Sequence, residues 1–239
     1  MMIAIDAGNT RIKWGVYDGA AWVAQGALLT TDAASLGAVS TGWPAAARVV
    51  ACNVAGEAVG DAISAALATR FASLLWLRSS AAACGVRNLY DQPERLGADR
   101  WAALLGARGQ IATACLVVCA GTATTVDWLD AKGFFRGGLI LPGVELMRIA
   151  LARNTAQLPL AEGKFCAEPR NTMDAIASGC LHAQTGAIER MFAGLPAGPG
   201  ATCLLTGGAA LHLAPHLNIP FKLVENLVLD GLVRFGASQ

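Results

Sequence analysis

The spacing of hydrophobic and polar positions changes in a regular order along this chain. Short runs of apolar or alternating character come first. Ile3, Ala4 and Ile5 form one, a second follows Lys13, and residues 22–28 form a third. Such runs, separated by Asn, Asp and Gly, predict three strands joined by tight turns. Residues 32–36 open a helical stretch with Asp32 as its cap, and Trp43 and Pro44 close it. A short β-branched strand over residues 48–54, a helix over 56–71 and a strand over 73–77 follow. From Ala98 the sequence ADRWAALLGAR reads as a helix. Three strands followed by alternating β and α elements predict a mixed α/β fold.

The pattern also repeats. Residues 116–133, LVVCAGTATTVDWLDAKG, match AIDAGNTRIKWGVYDG near the N-terminus, with Ala7 and Gly8 aligned on Ala120 and Gly121. Each copy runs strand, polar turn, strand and second turn. One long repeat predicts two similar domains, since a solenoid needs at least three short units. The junction is expected near Gly109 and Gln110, which gives domains of residues 1–110 and 111–239.

Composition narrows the function classes. The net charge of +1 sets up no field that would draw the chain to nucleic acid or an anionic membrane. The hydrophobic share is high at 54%, yet no apolar run approaches the ~18–20 residues of a membrane span. No signal peptide is visible. Seven cysteines, odd in number and free of CxxC spacing, predict reduced thiols in the cytoplasm, with neither disulfides nor zinc. His212 and His216 are separated by Pro215, which argues against a metal pair on a helix. The six tryptophans show no stacking period and read as core.

Two stretches carry candidate chemistry. In residues 6–13, DAGNTRIK, Gly8 permits a tight turn, Asn9 and Thr10 offer donors, Lys13 offers positive charge, and Asp6 can hold magnesium against phosphate oxygens. The same residues also suit an ordinary hairpin turn. In residues 90–101, YDQPERLGADRW, Asp99 falls in the first turn of the predicted helix. It is either a complement to the helix dipole or a general base, with Gly97 admitting a small substrate and Arg100 binding its oxygens.

Taken together, the ordered motifs resemble type III pantothenate kinases. They are Asp6-x-Gly8-Asn9-Thr10-x-x-Lys13, residues 96–100 (LGADR), residues 121–127 (GTATTVD), residues 138–143 (GLILPG), Thr155-Ala156-x-Leu158-Pro159, Asn171-Thr172 with Ala175, Ile176 and Gly179, and residues 206–209 (TGGA). The resemblance implies two tandem ribonuclease-H-like domains of the actin-like ATPase fold with a cleft between them. It implies ATP-dependent phosphorylation of pantothenate to 4'-phosphopantothenate, the first step of coenzyme A biosynthesis. Asp6, Ala7, Gly8, Asn9, Thr10, Arg11, Ile12 and Lys13 would bind ATP, joined by Thr122 from the second turn. Tyr90, Gly97, Ala98, Asp99, Arg100 and Thr172 would line the pantothenate pocket, with Asp99 as proton acceptor and a homodimer completing the site. Asp6 and Asp127 would face magnesium.

One position departs from the family's pattern: Cys119 stands where an Asp commonly helps to hold potassium. A thiol is a poor ligand for a hard cation. Either no monovalent ion is needed, or an ammonium group or lysine side chains take its role. Two alternatives stay open at this point, another small-molecule kinase on the same scaffold and a non-catalytic regulatory accessory protein.

Overall fold

The computed structural model describes residues 1–160, 162–195 and 200–239. They divide into two compact units. The first comprises Met1–Ala112, Gly133–Phe135 and Asn226–Gln239, and the second Thr113–Lys132 and Arg136–Glu225.

In the first unit, β1 (Met2–Ala7), β2 (Arg11–Tyr17) and β3 (Trp22–Leu29) form an antiparallel meander, as their alternation predicts. β4 (Arg48–Asn53) and β5 (Leu74–Trp76) add in parallel on the other side of β1, giving the order β3-β2-β1-β4-β5. β1 is central and covered on both faces, which is why its run is nearly all apolar. Ile3, Ile5 and Ala7 point into a core with Ile12, Val49, Ala51, Ile63 and Leu67. Asp6, two positions on from Ala4, therefore lies on the opposite face.

The expected helix with an Asp32 cap is corrected. The stretch is a 3-10 turn over Thr30–Ser35, a short α1 (Leu36–Val39) and another 3-10 turn, Ser40–Gly42. Leu29 occupies the cap position, and Asp32 lies inside the first turn with a non-helical backbone. Buried Thr30, Ala33 and Leu36 dictate that path, so packing overrides the local capping preference. Trp43 ends the stretch as expected.

α2 (Glu57–Leu67) begins one residue after Gly56 and, as expected, lies between β4 and β5 in the chain. The hairpin strands β6 (Ala82–Ala83) and β7 (Val86–Asn88) precede α3 (Ala98–Gln110). α3 is buried along most of its length and packs against the C-terminal helix, Leu227–Ala237. Glycines let these two helices touch backbone to backbone: a methyl group at Gly106 would overlap the Leu227 carbonyl, and one at Gly231 the Ala102 carbonyl.

In the second unit, β8 (Cys115–Ala120), β9 (Ala123–Leu129) and β10 (Phe134–Pro142) are followed by α4 (Val144–Asn154) and the long α5 (Thr172–Ala193). β11 (Thr202–Thr206), α6 (Ala210–Leu213) and β12 (Phe221–Leu223) complete it. Strand order in this unit is β12-β11-β8-β9-β10, with β8 and β9 antiparallel and β11 parallel to both β8 and β12. Its core gathers Leu116, Val118, Ala120 and Val126 against Ile188, Leu205 and Leu213. No helix among the described residues is long and apolar enough to cross a membrane.

The helix contact in the first unit gives a stability test. Gly231→Ala should lower stability by about 1–3 kcal/mol, because overlap with backbone cannot be relieved by a rotamer change. Gly186→Ala in α5, where a methyl group meets open space, should instead raise it by roughly 0.5–1 kcal/mol through helix propensity. Thermal denaturation of the two variants should shift in opposite directions.

Candidate functional site

Strand pairing builds the first site. Asp6 on β1 is in register with Lys13 on β2 and with Cys52 on β4. Residues in register share a face, so ammonium, carboxylate and thiol form a row across three strands. The Cys52 Sγ–H donates to Asp6 Oδ1 over 3.5 Å. Cys52 has no exposed surface, and burial together with the carboxylates of Asp6 and Asp99 pushes its thiol up, so it remains a protonated donor. Nothing local singles out Cys52; its place beside Asp6 appears only once β4 is paired in parallel with β1.

Asp99 comes to the same face from the start of α3. Gly97 caps this helix without a side-chain bond, and Asp99 Oδ1 accepts the Arg100 amide at 2.8 Å. A Cβ on Gly97 would lie 2.7 Å from Asp99 Oδ1, so any side chain there would displace the carboxylate. Asp6 feels the approach. Burial first, then the Asp99 charge, raises its carboxyl to about 6 against the opposing pull of Lys13 and the Cys52 thiol. A raised carboxyl with a second carboxylate and a lysine beside it has the electrostatics of a working site.

The hairpin tip between β1 and β2 holds exposed Asn9, Thr10 and Arg11, with Ala7 and Ile12 buried beneath it. Gly8 spends its amide inside the turn, donating to the Arg11 carbonyl at 3.1 Å. Thr30 braces the tip: its hydroxyl donates to the Gly8 carbonyl at 2.6 Å and its amide to the Thr10 carbonyl at 3.2 Å.

Arg100 is buried. Its Nη1 donates to the Tyr90 hydroxyl at 2.9 Å, and its guanidinium carbon lies 5.7 Å from the Tyr90 ring centre and 5.9 Å from that of Phe135. Asn88 shapes the loop, donating to the Pro93 carbonyl and accepting the Tyr90 amide. Phe135 and Asn88 escaped sequence reasoning. The Phe134–Phe135 pair after Gly133 was a visible signal for one; nothing local marked the other.

The second hairpin repeats the first with a shorter tip. Ala7 pairs with Ile12, whereas Ala120 pairs with Thr124, so the second encloses one residue fewer. Gly121 likewise closes its turn, its amide donating to the Ala123 carbonyl at 3.0 Å, and Thr122 is exposed. Two glycines buttress this turn by close approach. The Gly143 amide donates to the Thr122 carbonyl at 2.8 Å, and a methyl group at Gly143 would overlap the Gly121 carbonyl. Gly207, at φ +102°, leaves no room for a side chain beside the Ala120 carbonyl. Cys119, partly buried, occupies the place that Asp6 has in the first copy and faces Thr125 as Asp6 faces Lys13. Asp127 is fully buried in the middle of β9.

Thr172 opens α5. Asn171 is its cap, with Oδ1 accepting the Asp174 amide at 2.9 Å. Thr172 lines a cavity of about 1070 Å³ between α4 and α5, with Met147, Leu151, Leu158, Ile176 and Asn154 among its walls. The rings of His182 and His216 both pack on Phe165.

The type III pantothenate kinase family model matches residues 2–194. A type III pantothenate kinase from Aromatoleum aromaticum is 59% identical over 232 residues, covering 97% of this chain and 96% of the relative. Those of Azoarcus sp. and Dechloromonas aromatica are 51% and 49% identical, the first across 100% of this chain and 92% of the relative, the second across 97% of each. Among solved structures, a Campylobacter jejuni protein described as a Baf family transcriptional activator aligns at TM-score 0.68 and 19% identity, covering 99% of this chain and 98% of that one. ADP-bound MreB5 of Spiroplasma citri aligns at 0.54 and 12%, covering 99% and 96%, which places the fold among the actin-like ATPases. With the family's motifs in place along nearly its whole length, the chain belongs to the type III pantothenate kinase family.

Proposed function

We propose that Asp99 is the general base of the pantothenate phosphorylation that this family carries out, and that the two hairpin tips hold the ATP phosphates. The activity follows from family membership: ATP-dependent phosphorylation of pantothenate, the first step of coenzyme A biosynthesis. The site assignment rests above all on the convergence of Asp99 with the Lys13–Asp6–Cys52 row.

In this assignment the primary hydroxyl of pantothenate attacks the γ-phosphorus in line. An oxygen–phosphorus bond forms, the bond to the β–γ bridging oxygen breaks, the proton passes to Asp99, and ADP leaves. The transition state of phosphoryl transfer is usually loose, so positioning and charge neutralisation lower most of the barrier. Lys13 supplies fixed positive charge at the first tip. Thr122 and the exposed residues 9–11 supply contacts to the phosphates. Buried Arg100, held flat by Tyr90 and Phe135, sits beside Asp99 in sequence and recognises the polar end of pantothenate. Thr172 completes the pocket, with a second copy of the chain contributing across a homodimer interface. Exposed Leu139, Ile140 and Leu146 near the α4–α5 cavity suit that role.

Magnesium fits the residues present, because this ion is usually held by one or two carboxylates plus phosphate oxygens. Asp6 is the carboxylate assigned to it, and when bound the ion neutralises charge on the phosphates. Asp127 has no exposed surface and is not assigned a direct ligand role. Potassium does not fit at Cys119, whose neighbour in register is the neutral Thr125. Seven free cysteines suit a reducing cytoplasm. Neither a different kinase substrate nor a non-catalytic role is favoured by any feature of the site, which keeps both Asp6 and Asp99.

Three outcomes are expected. Asp99→Asn should lower kcat about 10²–10⁴-fold with ATP binding nearly intact, the range for loss of a general base. Turnover of this variant at the wild-type rate in an ADP-release assay rules Asp99 out. Lys13→Ala should weaken ATP handling, and an unchanged nucleotide KM and kcat would remove Lys13 from the phosphate site. The third concerns pH. The Asp6 carboxyl is raised in the folded state, to about 6 from 3.8, so the folded protein holds this proton more tightly than the unfolded chain. The stabilisation is full below pH 3.8 and is lost as pH rises through 6. Asp6→Asn should therefore raise the melting temperature of the ligand-free protein at pH 8 more than at pH 5, while abolishing the gain from magnesium-ATP. An equal shift at both pH values contradicts the assignment of a raised carboxyl.

A further inference from the structure

The first turn of α5 is tied down in a way that a helix cap does not require. Residues 163–166 run alongside it. A methyl group at Gly163 would overlap the Met173 carbonyl, so this segment lies against the helix backbone itself. The Lys164 amide donates to Asp174 Oδ1 at 2.8 Å, and the Cys166 amide donates to Ser178 Oγ at 2.9 Å. Between these two, the Phe165 ring packs 4.1 Å from His216 and 5.3 Å from His182, centre to centre.

Asp174 is where the segment meets the cap. One carboxylate oxygen takes the Lys164 amide; the other takes the Asn171 Nδ2–H at 2.7 Å and faces the Cys166 thiol at 3.7 Å. The Asp174 amide returns to Asn171 Oδ1. Asn171 alone would satisfy the helix end by accepting that amide. The additional bonds have a different consequence. They fix the cap residue from its side-chain nitrogen and clamp the passing segment to it, on either side of Thr172. The Lys164 amide and the Asn171 side chain hold the Asp174 carboxyl below the usual carboxylate range, so it is ionised and accepting at neutral pH.

We propose that Asp174 is a positioning residue for pantothenate: it ties residues 163–166 to Asn171 and so fixes the backbone that presents Thr172 to the pocket. This rests on the assignment of Thr172 to the substrate. Small displacements of a contact group cost substrate affinity steeply, whereas phosphate contacts are assigned to other residues, 6–13 and Thr122.

The geometry suggests a swap. In Asp174→Asn, whichever way the amide is turned, its NH₂ meets a donor, either Asn171 Nδ2 or the Lys164 amide. In Asn171→Asp two carboxylates meet where one hydrogen bond stood. In the double variant Asn171→Asp/Asp174→Asn the donor and acceptor exchange places and all three bonds re-form.

Steady-state kinetics with pantothenate varied, and melting temperatures beside them, test this. Asp174→Asn is expected to raise the pantothenate KM about tenfold, with kcat and the ATP KM within about twofold of wild type, the pattern of lost substrate positioning. The swap should return KM to within about threefold of wild type, and in a Thr172→Ala background Asp174→Asn should add less than about twofold, because residues acting as one unit are non-additive. A merely structural cap would lower the melting temperature without this split. An unrecovered KM in a swap variant that melts like wild type overturns the proposal, as does full additivity with Thr172→Ala. If Thr172→Ala leaves the pantothenate KM unchanged, Thr172 itself leaves the pocket and the proposal falls with it. If Thr172→Ala raises KM and Asp174→Asn does not, the positioning role alone is overturned.

Discussion

A carboxylate at position 6, half-buried between a lysine on one neighbouring strand and a thiol on the other, carries the rest of the site. It is held where ionisation is opposed by burial and by Asp99 and favoured by Lys13. Strand alternation makes this arrangement possible. Ile3, Ile5 and Ala7 take one face of β1 into the core, which leaves Asp6 on the face to which α3 brings Asp99. The ligand-free unit is strained electrostatically, and a cation with its phosphates would relieve that strain. The same feature that costs stability would favour binding of a charged partner.

Glycine does the complementary work. Gly8 and Gly121 close the two hairpins, while Gly143 and Gly207 let other backbone segments pack against the second turn. Gly106 and Gly231 bring α3 and the C-terminal helix into backbone contact, which seats the helix whose first turn bears Asp99. Side-chain chemistry is therefore displayed on a frame whose closest contacts are between main chains.

Much of this was legible from residues alone. The alternation around Ile3 to Ile5 placed the first hairpin, and the repeated Ala-Gly placed the second. What escaped depends on partners distant in the chain. Cys52 matters through parallel pairing, Thr30 through its hydroxyl on the Gly8 carbonyl, and Phe135 through a ring against Tyr90. Asp32 misled because its capping preference is local, whereas the path of residues 30–36 is set by burial.

We propose that each hairpin contacts the phosphates of bound ATP. Hydrogen–deuterium exchange of the intact protein, with and without magnesium and a non-hydrolysable ATP analogue, tests it directly. Slowed exchange is expected together in residues 6–13 and 120–125, titrating with a single midpoint. Protection confined to one hairpin, or absent from both while the nucleotide is bound, contradicts it.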